Sequence, residues 1–72
     1  MKANNIIKTI MGNRQITQGD LVSKMNMKSQ SAISGALGRD MKISTLIRFL
    51  DCLDCELIVR DKNTGEEHHI TE

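Results

Sequence analysis

The chain contains no proline, tryptophan or tyrosine, and Phe49 is its single aromatic residue. Any core must therefore be aliphatic and methionine-rich. No apolar run approaches the roughly 20 residues that a membrane-spanning helix needs, which excludes a helical membrane protein. The opening MKANNIIKTIMGNRQ has no apolar stretch of signal-peptide length, so the expectation is a cytoplasmic protein with no membrane partner. Two cysteines, Cys52 and Cys55, are too few for a secreted disulfide scaffold. Low-complexity segments and internal repeats are also missing. The 72 residues make one domain at most. A domain so short is marginally stable unless it gains a metal, a disulfide or a partner subunit.

Catalytic chemistry is equally poorly represented. The acidic residues are scattered, no glycine-rich loop is spaced to cradle a phosphate, and neither His68 nor His69 has a partner fixed by spacing. The expectation is a protein that is not an enzyme and carries no cofactor. The stretch CLDC, residues 52–55, could supply half of a zinc site, with His68-His69 as the other half. Adjacent histidines on a strand point to opposite faces, however. A cysteine beside the buried face of a helix acts as a small hydrophobe. No metal is expected.

The charge distribution is more informative than its total of +1. Residues 1–50 hold Lys2, Lys8, Arg14, Lys24, Lys28, Arg39, Lys42 and Arg48 against Asp20 and Asp40, a net +6. Residues 51–72 hold Arg60 and Lys62 against seven carboxylates, a net −5. A separation of this kind directs the first part toward a polyanion and the tail toward something else.

The spacing of apolar residues predicts four helices and a hairpin. Ile6, Ile7, Ile10 and Met11 form one face of a first helix, closed by Gly12-Asn13. Thr17 is an N-cap, with Asp20 three residues on completing an approximate capping box for a short second helix. Leu21, Val22 and Met25 form the apolar face of that helix. Asn26, which tolerates positive φ, suits a tight turn into a third helix. Ser29 is the N-cap candidate of this third helix, Ile33, Ala36 and Leu37 its narrow buried stripe, and Gly38 its stop. Leu46, Ile47, Leu50 and Leu53, extended by Phe49, mark a fourth. Beyond Cys55, Leu57, Ile58 and Val59 are strand formers, and KNTG reads as a turn with Gly65 left-handed before a returning HHIT strand.

Two short helices across a tight turn, the second small and polar on its outer face, carry a resemblance. TQGDLVSKMNMKSQSAISGAL resembles the helix-turn-helix of the lambda repressor and Cro-like family. Thr17-Gln18 open one helix, Leu21-Val22 sit at its buried centre, Met25-Asn26-Met27 pass through the turn, and Gln30-Ser31 open the next helix, with Ile33 as its anchor. MKISTLIRFLDCL resembles the helix that packs beneath the pair. The resemblance covers residues 3 to 54. The chain departs from the pattern in a turn one residue longer and in Asn26 at the usual glycine, which moves the register of base-reading residues by up to one position. The resemblance implies a mainly α, compact four- to five-helix lambda repressor-like DNA-binding domain. Residues 1–55 form its helical part, with the helix-turn-helix at 17–38, and residues 56–72 add a β-hairpin extension.

The same residues can be assigned roles on physical grounds. A helix that enters a major groove about 12 Å wide needs short side chains on its exposed face. Ser29, Gln30, Ser31 and Ser34 are donors and acceptors of that size and are the expected base readers. Gly35 costs a helix about 1 kcal/mol relative to alanine, a cost that a close backbone approach to DNA, or to the first or fourth helix, would explain. Thr17 and Gln18 at a helix N-terminus, and Lys28, Arg39 and Lys42 beside the recognition helix, are the expected phosphate contacts. Arg14 is a weaker candidate, and Lys8 and Lys24 read as ordinary surface.

The expected partner is double-stranded DNA, a palindromic operator bound by a homodimer that acts as a transcriptional repressor of phage or mobile-element type. Leu57, Ile58, Val59 and Ile70 are the expected dimer interface, because an isolated two-stranded hairpin is marginal in water. Two other readings remain. One is an antitoxin-type protein whose acidic C-terminal hairpin binds a partner protein. The other is an interaction module of the same fold without DNA binding.

Overall fold

A computed structural model describes residues 1–71. Four helices are followed by a two-stranded antiparallel hairpin: α1 (Ala3–Arg14), α2 (Gln18–Lys24), α3 (Gln30–Leu37), α4 (Ile43–Cys52), β1 (Leu57–Arg60) and β2 (Glu67–Ile70). This is the mainly helical architecture that the periodicity predicts. α3 packs against both α2 and α1, and α1 also packs against α4. Among the described residues no helix is long and apolar enough to cross a membrane.

The core is aliphatic, as the near-absence of aromatics requires. Ile7, Met11, Leu21, Met25, Ile33, Leu37, Leu46, Phe49, Leu50 and Leu53 form one buried cluster. Phe49 lies among the fully buried side chains and does extend the α4 face. In α1 the buried line is displaced from the expected one. Ile7 and Met11 are buried and Ile10 half-buried, but Ile6 is exposed. The place of Ile6 on the inner face is taken by Asn4, which is three residues before Ile7 and seven before Met11.

The helix boundaries follow local chemistry. α1 runs through Gly12-Asn13 and stops only at Gln15, which adopts a left-handed conformation (φ 56°). A glycine inside a helix weakens it without ending it when tertiary packing holds the flanks. The capping box of α2 is present in full. The Asp20 N–H donates to Thr17 Oγ1 at 3.1 Å, and the Thr17 N–H donates to Asp20 Oδ2 at 2.9 Å. Asn26 carries the positive φ expected of it, at 56°. Ser29 holds the N-cap position of α3, but its side chain makes no cap bond. Gly38 follows the last turn of α3 at φ −82°, a right-handed conformation open to any residue, so the stop does not depend on glycine.

The hairpin pairs Leu57 with Ile70, Ile58 with His69, Val59 with His68 and Arg60 with Glu67. Its turn is closed by the Asp61 N–H donating to Glu66 O and the Gly65 N–H donating to Asp61 O, both at 2.8 Å. Gly65 sits at φ 79°, where a side chain would be strained. Leu57 packs on the helical core, and Leu57 and Ile70 are both half-buried. Beyond them the hairpin projects, consistent with a molecule 43 Å long and 24 by 21 Å across.

Candidate nucleic-acid interface

α3 shows two chemically distinct faces. Ile33 and Leu37 are buried and Ala36 is half-buried, while Gln30, Ser31, Ala32, Ser34 and Gly35 are exposed. The helix is about 12 Å long at 1.5 Å per residue, and nothing on its outer face is longer than glutamine. Ser29, Gln30, Ser31 and Ser34 lie together at the N-terminal end and along the exposed side. Among the described residues their side chains make no hydrogen bond. Their donors and acceptors all remain available. Ala32, which the charge and polarity pattern does not single out, joins the same surface. Its methyl group is the kind that packs on a thymine methyl.

Gly35 sharpens the picture. A Cβ built at this position meets no atom within 4 Å. A close approach to α1 or α4 therefore does not account for the glycine, and the surrounding space is open on the outer face.

Among the described residues, the cations around α3 have no carboxylate partner. Among the described residues the carboxylates that meet a basic side chain are Glu67 with Arg60 at 2.7 Å, Glu66 with His68 at 3.3 Å and Glu56 with His69 at 2.8 Å, all in or beside the hairpin. Lys28, Arg39 and Lys42 are exposed and take no part in these contacts. Lys42 also occupies the N-cap position of α4, a helix with no acidic residue in its first turn. A cation at the positive end of a helix dipole is unfavourable on its own. An incoming anion would relieve that repulsion.

Two residues named as phosphate contacts prove to be engaged elsewhere. Thr17 turns both its N–H and its hydroxyl to Asp20. The backbone hydrogen bond from Thr17, followed by its side-chain bond, holds the Asp20 carboxyl below its ordinary pKa. The N-terminus of α2 thus already carries an anion, and Gln18, half-buried beside it, is the remaining polar side chain there. Arg14 donates to the Leu53 carbonyl just past the end of α4, and its second guanidinium nitrogen lies 3.6 Å from Cys55 Sγ. It ties α1 to α4.

The four expected interface residues separate into two pairs. Leu57 and Ile70 are cross-strand partners, both half-buried, with Leu57 on the helical core. Ile58 and Val59 are 38% and 50% exposed and, as neighbours on one strand, point to opposite faces. His68 and His69 likewise point apart, and each meets a glutamate. Cys52 and Cys55 are half-buried against the core. No group of three or more metal-ligating side chains exists among the described residues. No protein-family model, curated protein or solved structure matches the chain.

Proposed function

We propose that this chain is a lambda repressor/Cro-like helix-turn-helix protein that binds a specific duplex DNA operator as a homodimer and so represses transcription. In this reading α2 and α3 form the helix-turn-helix, and α3 lies in the major groove. The observation that carries the proposal is the outer surface of α3: small polar side chains with unused hydrogen-bonding groups, flanked by cations without carboxylate partners. Gln30 is suited to a bidentate pair with adenine, and Ser29, Ser31 and Ser34 to base edges or nearby phosphates. Lys28, Arg39 and Lys42 fix the register on the backbone, with Gln18 in support. Ile58 and Val59, one on each face of the hairpin, remain as its exposed apolar side chains for edge-to-edge pairing with a second copy.

The two classes of contact make different predictions. Lys28→Ala, Arg39→Ala and Lys42→Ala should each weaken binding to all duplexes alike and reduce the slope of log affinity against log salt by about one. Gln30→Ala should instead relax sequence preference at one position, losing about 1–3 kcal/mol of discrimination. If no member of the set alters affinity for any duplex, the proposal fails.

A second reading has its own support. Asp51, Asp54 and Glu56 line a cleft of about 750 Å³ between α4 and the base of the hairpin, together with Ile47, Leu50 and Leu57. An antitoxin-type protein would use such an acidic surface to hold a basic partner protein. Copurification of a second protein, released at high salt, supports that reading. A protein that purifies alone from its native host argues against it.

A further inference from the structure

Asn4 is the one buried polar residue among the described residues, 8% exposed. Its Nδ2 donates to the backbone carbonyl of Leu37 at 3.0 Å, a bond that joins the first turn of α1 to the last residue of α3. Its Oδ1 is buried and has no hydrogen-bond partner among the described residues. A half-satisfied amide is a poor source of stability, because the unpaired acceptor carries the cost of its lost hydration. What the amide adds is direction. α3 has no left-handed residue to close its C-terminus, and Gly38 returns only its own N–H to Ser34 O. The Leu37 carbonyl is bonded from another helix instead. Ile33 and Leu37, by contrast, contact the core through non-directional apolar packing, which tolerates rotation and sliding.

We propose that Asn4 is a positioning residue that sets the angle and register of α3 on the helical body. The inference rests on the reading of α3 as the base-reading helix, for which a misplacement of about 1 Å matters. Asn4 itself touches no DNA. It acts through the Leu37 carbonyl, so removing it should damage selectivity more than general affinity. The cations proposed for salt-dependent attachment, Lys28, Arg39 and Lys42, lie outside α3 on the segments that flank it and keep their charge in the variants.

The test uses the whole chain, Asn4→Leu and Asn4→Ala, with two readouts. The first is amide hydrogen exchange without DNA. The α3 amides of each variant should exchange about tenfold faster or more than in the parent protein, while those of α4 change little. The second compares binding of a duplex enriched from a randomised pool with that of a scrambled duplex. Selectivity should fall about tenfold, while affinity for the scrambled duplex stays within about twofold. A folded Asn4→Leu protein with unchanged α3 exchange or unchanged selectivity overturns the proposal. Loss of the fold in both variants also overturns it, since a pin on one helix is not a global requirement. If the parent protein enriches no duplex, the DNA-binding reading fails on its own, and the exchange readout alone decides the role of Asn4.

Discussion

Gly35 stands on the exposed side of α3, where an added methyl group would meet no atom within 4 Å. Alanine is the better helix former by about 0.5–1 kcal/mol, so Gly35→Ala should raise the thermal midpoint by about 2–8 °C. If the backbone there lies against a groove wall, the same change should weaken DNA binding. A calorimetric scan paired with a binding isotherm reads both effects, and a stabilised variant with undiminished affinity would remove Gly35 from the interface. Thr17 and Asp20 close the N-terminus of α2 with two reciprocal hydrogen bonds. Thr17→Ala should cost about 1 kcal/mol in chemical denaturation. The pKa of Asp20 is depressed in the folded state by its bonds from Thr17. Its contribution is therefore present above the ordinary carboxylate value and lost as pH falls through the lower, folded value. Stability should drop on acidification below about pH 4, and Asp20→Asn should flatten that drop. Contacts of this local kind are legible in the sequence, since Thr17 and Asp20 are three residues apart. Those of Asn4 and Arg14 are not, because their partners are 33 and 39 residues away. For Asn4 a signal does exist: it shares a helical line with Ile7 and Met11, and only its polarity argues against an inner position.

Among the elements, α4 is the most legible. Leu46, Phe49, Leu50 and Leu53 recur at helical spacing and are all buried, whereas Ile43, ahead of the first full turn, is 58% exposed. In α1 four apolar residues allow two nearly equivalent faces, and contact with α3 and α4 selects the one through Ile7 and Met11. The hairpin is readable as a hairpin from KNTG and its flanking strand formers, but its orientation is not. Strand alternation separates Leu57 from Ile58 without saying which of them meets the helices. In the fold Leu57 is inward, with Ile70 opposite it, and Ile58 and Val59 are left on a two-stranded element that would be marginal alone. In the proposed homodimer, Ile58→Lys combined with Val59→Lys should therefore yield a monomer by sedimentation equilibrium, and a parent chain that is itself monomeric would contradict the proposed dimer. Persistence of the dimer would move the interface off the hairpin.

The molecule as a whole separates its charges along the chain, +6 in residues 1–50 and −5 in residues 51–72. The fold retains that separation in its interactions. Among the described residues the carboxylates that meet a basic side chain gather at the hairpin, and the cations around α3 have no carboxylate. α4 joins the two regions and carries Lys42 at its N-cap and Asp51 in its last turn, against its own dipole. At its C-terminal end Arg14 of α1, which donates to the Leu53 carbonyl, supplies a cation. Such a helix still gains from an anion at its N-terminal end. With a net charge of only +1, the proposed DNA binding requires the basic region to face the duplex and the acidic hairpin to lie away from it. Whether α3 reads DNA sequence from a two-fold symmetric dimer can be decided by selection from a randomised duplex pool at two salt concentrations, followed by sequencing. A symmetric dimer should enrich a short symmetric motif with half-sites about one helical turn, roughly 34–36 Å, apart, and its affinity should fall steeply between the two salts. Recovery of no motif at either salt would contradict the assignment of α3 as a reading helix.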